Sequence, residues 1–385
     1  MTDAVTRFEA LLSPPGRELL GRLAAEQVTP GSALRINAAL RREYPGDLIA
    51  TALAQHELRV LAAEKFSLAA DMFFTRPGLE QASSEATARH RAGRFDRAAI
   101  VADLCTGIGG DLIALAQQRS VLAVDVDPLH LRTAGLNARA YGGEARLLEA
   151  DVRDVDLAGT DAVFVDPARR ADGRRLGPAR TEPELDWCFG LAERVPHVGI
   201  KAAPGLPRVL VPSGWEVEFV AVDRDLKEAA LWSPALATAT RRATILPGEH
   251  VLLPDPGPAV DVRAPGEFLY DPSPAVTRAG LVQELARTLG AWQIDDRIAF
   301  LSTDAEVHSP FARTLRVIES LPWHHKALAQ SLRALDIGAV DIRRRGLAGN
   351  VDDVQRRLKL RGSRKATLVM TRVADRPWAV VCVDP

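Results

Sequence analysis

Cysteine is scarce in this chain of 385 residues: Cys105, Cys188 and Cys382 are the only three, in no C-x-x-C or other metal-ligand spacing. An odd number at such spacings argues against a disulfide framework and a structural metal, and points to a reducing cytoplasm. Long apolar runs are also missing. No stretch of 18 apolar residues occurs, and Met1-Thr-Asp-Ala-Val-Thr-Arg-Phe-Glu9 lacks the apolar core of a signal peptide, so secretion and membrane spanning are not expected. Charge of one sign is absent overall, with 49 Lys/Arg against 50 Asp/Glu, so any attraction for a polyanion has to be local. There is no internal repeat and no low-complexity tract. What is present is length for two or three domains and 47% hydrophobic content, enough for a sizeable core.

The chemistry concentrates between Ile100 and Asp166. An apolar strand from Val101 to Leu104 runs into Asp103-Leu-Cys-Thr-Gly107-Ile-Gly109-Gly110-Asp111, and Leu112 to Ala116 begins a helix. Glycines there permit a tight turn and a close backbone approach to a ligand. A dinucleotide site requires G-x-G-x-x-G, but counting from Gly107 the third position is Leu112. Asp103 and Asp111 also flank the loop where two phosphate charges would sit, and like charges at that range favour a cation instead. S-adenosylmethionine has no phosphate and carries a sulfonium and an α-ammonium. Asp103 suits its methionine end, and Asp125, after the strand Val121–Val124, suits the ribose hydroxyls. Asp151 suits the adenine amine, with Val152 packing on the ring.

With these acids at successive strand ends, the segment from about Arg97 to Leu246 resembles a class I S-adenosylmethionine-dependent methyltransferase. The resemblance implies a Rossmann-like sheet with S-adenosyl-L-methionine as cofactor. The expected cofactor-binding residues are Asp103, Cys105, Thr106, Gly107, Gly109, Asp111, Asp125, Asp151 and Val152.

Asp166-Pro167-Ala-Arg169 follows the apolar run Ala162–Val165, so its carboxylate emerges at the ligand end of a strand. A carboxylate there can accept hydrogen bonds from an exocyclic amine, and positioning of this kind supplies much of the rate of an in-line displacement. Asp166, Pro167 and Arg169 are therefore the expected catalytic residues, with Arg169 either clamping phosphate or pairing with Asp166 or Asp172. Base-amine methyltransferases commonly place an aromatic where Arg169 stands. The Asp-Pro-Ala-Arg spelling also resembles RNA uracil-C5 methyltransferases, but their nucleophilic cysteine is missing after the strand Val198–Ile200, where Lys201-Ala-Ala-Pro204 follows. Cys188 lies in the helical segment Glu184 to Glu193 and reads as a buried small residue. An aromatic could come instead from Phe73-Phe74-Thr-Arg76-Pro-Gly, either as core or as a lid.

The first 95 residues read as helices over Arg17–Gln27, Ala33–Arg42, Leu48–Ala70 and Glu80–Arg91, a helical cap. Residues 96–250 are the expected catalytic domain, and the Pro/Gly-rich segment from Leu246 to Pro258 reads as a linker. From residue 259 to 385 the pattern is α+β: an amphipathic Arg278–Leu289, a strand over Ala339–Arg344, a helix over Val351–Leu358, and a terminal hairpin of Thr367–Thr371 with Trp378–Val383. Over Asp341 to Arg376 there are eleven Lys/Arg against four Asp/Glu. The clusters Arg343-Arg344-Arg345 and Lys359-Leu-Arg361-Gly-Ser-Arg364-Lys365 suit phosphate contacts or a solvated face, and the lack of interleaved aromatics disfavours a base-stacking platform. Tyr270-Asp-Pro-Ser-Pro-Ala-Val-Thr-Arg278, Ile342-Arg-Arg-Arg-Gly346 and Leu358-Lys-Leu-Arg-Gly362 resemble the THUMP-like domain at the C-terminus of certain bacterial methyltransferases, which implies an RNA partner.

The expectation is thus an α/β enzyme with a helical N-terminal domain and a C-terminal α+β domain, methylating a base amine of tRNA or rRNA without a metal. Expected substrate contacts are Phe73, Phe74, Arg76, Lys201, Arg344, Arg345, Lys359 and Arg361. The alternatives are a small-molecule or protein methyltransferase, and a non-catalytic RNA-binding protein that retains the cofactor fold.

Overall fold

The computed structural model describes residues 3–26, 33–168, 170–171, 174–175, 180–347 and 350–385. Contacts divide the chain into two compact units, Met1–Trp215 with Leu231–Ala237, and Glu216–Ala230 with Thr238–Pro385.

The first unit opens with α1 (Asp3–Leu12), α2 (Pro14–Ala25), α3 (Ala33–Leu40) and α4 (Gly46–Ala62). Ser13 starts α2 by accepting a hydrogen bond from Gly16 N at 3.3 Å, and prolines at 14 and 15 occupy a first turn that needs no N–H donors. Leu11, Leu19, Leu23, Ile36, Leu40 and Ile49 bury together, each stabilising by roughly 1.5–3 kcal/mol. The first of these helices is absent from the sequence reading. The periodic stretch expected to run to Ala70 ends at Ala62, because Phe66 turns into a second cluster with Leu58, Met72, Phe74 and Ile108. The helix expected over Glu80–Arg91 is in fact two, α5 (Arg76–Gln81) and α6 (Glu85–Gly93), each started by a hydroxyl cap, Thr75 to Gly78 N and Ser84 to Thr87 N.

A parallel sheet follows, with β1 (Ile100–Leu104), β2 (Ser120–Asp125), β3 (Ala145–Glu149) and β4 (Ala162–Val165). The short ribbon β5 (Arg170–Ala171) and β6 (Arg174–Arg175) precedes β7 (His197–Ala202), and the order across the sheet is β7-β4-β1-β2-β3. Its interior strands are buried on both faces, as the apolar runs require. The connecting helices are α7 (Leu112–Leu115), α8 (Pro128–Ala140), capped by Asp127, and α9 (Leu185–Gly190). Strand order reverses between β1 and β4, which opens a crevice at their carboxyl ends.

In the second unit, β10 (Arg241–Leu246) runs parallel to β8 (Glu216–Val222) and antiparallel to β11 (His250–Leu252); β9 (Asp225–Trp232) has its last two residues in the first unit. The strand β11 lies within the segment expected to be only a linker. A seven-stranded sheet is built from β12 (Phe268–Pro272), β13 (Trp292–Gln293), β14 (Leu301–Thr303), β15 (Ala312–Pro322), β16 (Ile337–Arg344), β17 (Arg364–Val373) and β18 (Arg376–Val383), in the order β13-β14-β12-β15-β18-β17-β16. The terminal hairpin is present, with Thr367 opposite Cys382, and β16 is parallel to β17. Alternation along β17 sends Leu368 and Met370 to one core with Leu328, Leu332 and Leu358, and Val369 to the other with Leu269, Phe300 and Leu315. The helices are α10 (Pro274–Ala279), α11 (Val282–Leu289), α12 (His325–Ala334) and α13 (Val351–Leu358). The single amphipathic helix expected over Arg278–Leu289 is broken by Gly280, whose φ of 68° ends α10.

Candidate active site

The carboxyl ends of β1, β2 and β4 open on a cavity of about 650 Å³ within the first unit. Its floor is the glycine loop. After β1 the chain turns through Cys105 (φ 60°) and Gly107 (φ 55°), and Thr106 N donates to Val124 O at 3.0 Å, tying the loop to β2. Gly109 (φ 85°) passes so close to α8 that a Cβ there would lie 2.9 Å from Ala134 Cα, whereas a Cβ on Gly107 would meet nothing.

Asp125, at the end of β2, accepts from Gly107 N at 2.7 Å and from Asp127 N at 2.9 Å, and borders the cavity. Each oxygen retains a lone pair, so the carboxylate suits a pair of hydroxyls. Asp151 and Val152 also line the wall, Asp151 held by Arg153 N and Arg153 Nη1, both at 2.9 Å. Arg153 pairs onward with Glu182.

Asp103 is fully buried. Its Oδ2 accepts the Thr106 hydroxyl, while Oδ1 has no hydrogen-bond partner among the described residues. Burial first, and then the charge of Asp111, pushes its pKa well above the ordinary carboxylate range. Asp103 does not itself border the cavity; the orphaned oxygen behind Cys105 and Thr106, which do, is the feature that suits a cationic group. Asp111 borders the cavity, as its place beside the loop suggested, and is also anchored from behind: Arg91 Nε donates to Oδ1 at 2.9 Å, and the Ser83 hydroxyl donates to Oδ2 at 2.8 Å. Burial alone would raise the Asp111 pKa, but Arg91 and Lys201 reverse this and hold it below the usual range.

Asp166 leaves β4 beside Leu104, its N donating to Leu104 O at 3.2 Å, and a backbone bridge between Ala168 and Glu182 pins the exit. The buried Lys201, on β7, places Nζ 2.6 Å from Asp166 Oδ2. Lys201, expected at the substrate, borders the cavity and pairs with Asp166; Arg169, expected to clamp phosphate or to pair with Asp166 or Asp172, lies outside the described residues. Asp166, Pro167 and Lys201 share the cavity with Cys105, Thr106, Gly107, Asp125 and Asp151. Burial pushes the Cys105 thiol up, and that of Cys188 up to about 12, so neither is a ready thiolate.

The aromatic pair is placed elsewhere. Phe74 is core, and Phe73 sits edge-on to Phe8 with the Arg59 guanidinium 4.9 Å from its ring; neither borders the cavity. Arg76 is exposed and pairs with Glu57 at 2.8 Å, although the helix it begins supplies Gly78 and Gln81 to the wall. Arg344, Arg345, Lys359 and Arg361 belong to the second unit, where Arg345 is bound to Asp271 at 2.8 Å. Sequence reasoning missed Ser83, Arg91, His130 and Arg153. Only Arg153, two residues beyond Asp151, carried a local signal. Among the described residues no group of three or more His, Cys, Asp or Glu could hold a metal ion, and no helix is long and apolar enough to cross a membrane.

Three family models match: a domain of unknown function over residues 3–62, RNA cap guanine-N2 methyltransferase over 98–158, and THUMP domain-like over 312–383. An uncharacterized S-adenosylmethionine-dependent methyltransferase of Mycobacterium tuberculosis is 38% identical over 320 residues, covering 78% of this chain and 84% of that protein. The release factor glutamine methyltransferase of Mycolicibacterium smegmatis is 35% identical over 115 residues, 28% of this chain and 39% of its own. A methyltransferase crystal structure from Porphyromonas gingivalis shares the fold at a TM-score of 0.72 and 20% identity, over 93% of this chain and 99% of that one. The acid-lined glycine cradle and the extended relationship agree, and the chain belongs to the S-adenosylmethionine-dependent methyltransferases, with a THUMP-like domain near its C-terminus.

Proposed function

We propose that this enzyme methylates a base amine of structured RNA, tRNA or rRNA, in the cytoplasm. S-adenosylmethionine supplies an electrophilic methyl group when bound. Asp103 holds its cationic end, Asp125 its ribose hydroxyls and Asp151 its adenine amine. Asp166 accepts an N–H of the target amine and so orients the nitrogen lone pair, and Pro167 stiffens the exit from the strand. The observation that carries this reading is that Asp166, fixed by Lys201 at 2.6 Å, opens on the same cavity as Asp125 and Asp151. The descriptions of the families matched over 98–158 and 312–383 support RNA as the acceptor. In this reading residues 1–95 are a cap, 96–250 the catalytic domain and 259–385 a docking domain, with Arg169 steering phosphate.

A protein acceptor is the second reading, favoured by the partial match to a glutamine methyltransferase. Labelled S-adenosylmethionine incubated with the enzyme, total RNA and total protein from a strain lacking its gene separates the two. Label in one RNA fraction, lost with Asp166→Ala, is the expected result. Label in protein alone overturns the RNA assignment.

A further inference from the structure

The second unit contains a cavity of about 420 Å³, bordered by Arg224, His308, Ser309, Arg313, Thr314 and Asp384. Its two arginines, Arg224 and Arg313, come from distant parts of the chain, and two more lie near them in the same unit. Arg224 stands on the turn between β8 and β9, Arg313 on β15, and Arg343 and Arg345 on or just after β16; all four act electrostatically on one carboxylate, Asp271. Arg345 pairs with Asp271 directly, at 2.8 Å. Burial of Asp271 outweighs the four arginines and raises its pKa.

The two arginines that border the cavity differ in their partners. Arg313 is held by Asp384 at 2.7 Å and reaches Asp341 at 3.9 Å, and these carboxylates are 78% and 58% exposed. Arg313 itself is 18% exposed, but carboxylates this exposed stay hydrated and can be exchanged for another anion. Arg224 is exposed and forms no ion pair with any described residue. Ser309 and Thr314 border the same cavity, and His308, 3.6 Å from Glu306, is 87% exposed. Two arginines bordering one cavity can together take the oxygens of a phosphate, which arginine grips in a fork.

We infer that this cavity binds a backbone phosphate of the RNA substrate, with Arg224 and Arg313 as its ligands and Asp384 as the carboxylate that the phosphate displaces. The inference rests on the RNA reading above and adds a site to it. Arg224, His308, Ser309 and Asp384 lie outside the THUMP-like match over 312–383, so the site is built jointly by that match and residues on either side of it.

Fluorescein-labelled total tRNA, titrated with the intact enzyme by anisotropy across a salt series, tests it, because phosphate contacts are largely independent of sequence. Arg224→Glu, at an exposed turn, is expected to weaken binding about tenfold and reduce the salt slope by about one. Asp384→Asn is expected to tighten binding severalfold, an opposite effect that misfolding does not produce. Wild-type binding that neither substitution changes overturns the site while leaving the RNA reading intact. Absence of saturable tRNA binding by the wild type even at low salt overturns both. Inorganic phosphate or a nucleoside triphosphate that binds the wild type and is lost with Arg224→Glu, while tRNA affinity stays unchanged, overturns the RNA assignment in favour of a small phosphate ligand.

Discussion

Lys201 Nζ lies 2.6 Å from Asp166 Oδ2, joining the end of β7 to the end of β4 across the opening of the cavity. Lys201 is 7% exposed and Asp166 27%, so the pair is screened less than a surface ion pair, and the carboxylate is held in one orientation. Asp166→Ala is expected to lower kcat by about 10²-fold or more while leaving the cofactor Kd within about twofold, since misplacing a reacting group costs that order. Lys201→Met should lower kcat less, because the carboxylate survives without its anchor. Single-turnover methyl transfer beside calorimetric cofactor binding measures both. A cofactor Kd that rises as kcat falls makes Asp166 a structural element of the cradle.

Arg91 and Asp111 form the buried pair behind the glycine loop, 1% and 9% exposed. Removing one member leaves an uncompensated buried charge beside Asp103, so Arg91→Met is expected to destabilise the enzyme by about 3–5 kcal/mol. The double substitution Arg91→Met with Asp111→Leu removes both charges and should recover part of the loss. Urea unfolding of the two single variants and the double variant measures the coupling.

Asp103 and Asp111 give opposite pH dependences. The native chain keeps the Asp103 proton over a range where the unfolded chain has lost it, so this group reduces stability as pH rises above the ordinary carboxylate range. Asp111 contributes stability that is present above that range and lost as pH falls through its depressed native value. A cation at Asp103 favours its ionised form. S-adenosylmethionine binding should therefore release up to one proton, with affinity rising at most about tenfold per pH unit below the native Asp103 pKa. Calorimetry in buffers of different ionisation enthalpy reads that proton, and Asp103→Asn should abolish its release.

The glycine loop and the strand-end acids were legible because their signals are local: glycines where the turn needs positive φ, and single acids closing apolar strands. Asp125, Asp151 and Asp166 all border one cavity, as their strand-end positions suggested. The tertiary half of the site was not legible. Nothing in the sequence around Arg91 indicates that it packs against Asp111, twenty residues on, or that Ser83 stands between them. Phe73 and Phe74 could be read as core or as a lid, and both pack as core, Phe74 with Phe66 and Phe73 against a nearby set of helices, a choice that only the tertiary contacts make. Helix ends were misread where a tertiary contact overrode periodicity, as at Phe66, and where one glycine divided an amphipathic run, as at Gly280.

The basic residues of the second unit are not equivalent, and stability separates them. Arg345 is 30% exposed on its side chain, pairs with Asp271 at 2.8 Å and lies 5.2 Å over the Phe300 ring, so it joins β12 to the core beneath Phe300. Lys359, in the left-handed residue that ends α13, and Arg361 beyond it are exposed. Arg345→Ala is expected to lower stability by about 1–3 kcal/mol, since it strips a partner from a largely buried carboxylate. Lys359→Ala and Arg361→Ala should stay within about 0.5 kcal/mol of the wild type. If the second unit docks RNA through this surface, each of the latter two should reduce the salt slope of RNA binding by about one, uniformly across RNA sequences. Urea unfolding and salt-dependent anisotropy on the same three variants separate a structural arginine from phosphate contacts; unchanged RNA binding in Lys359→Ala and Arg361→Ala assigns their charges to a solvated face.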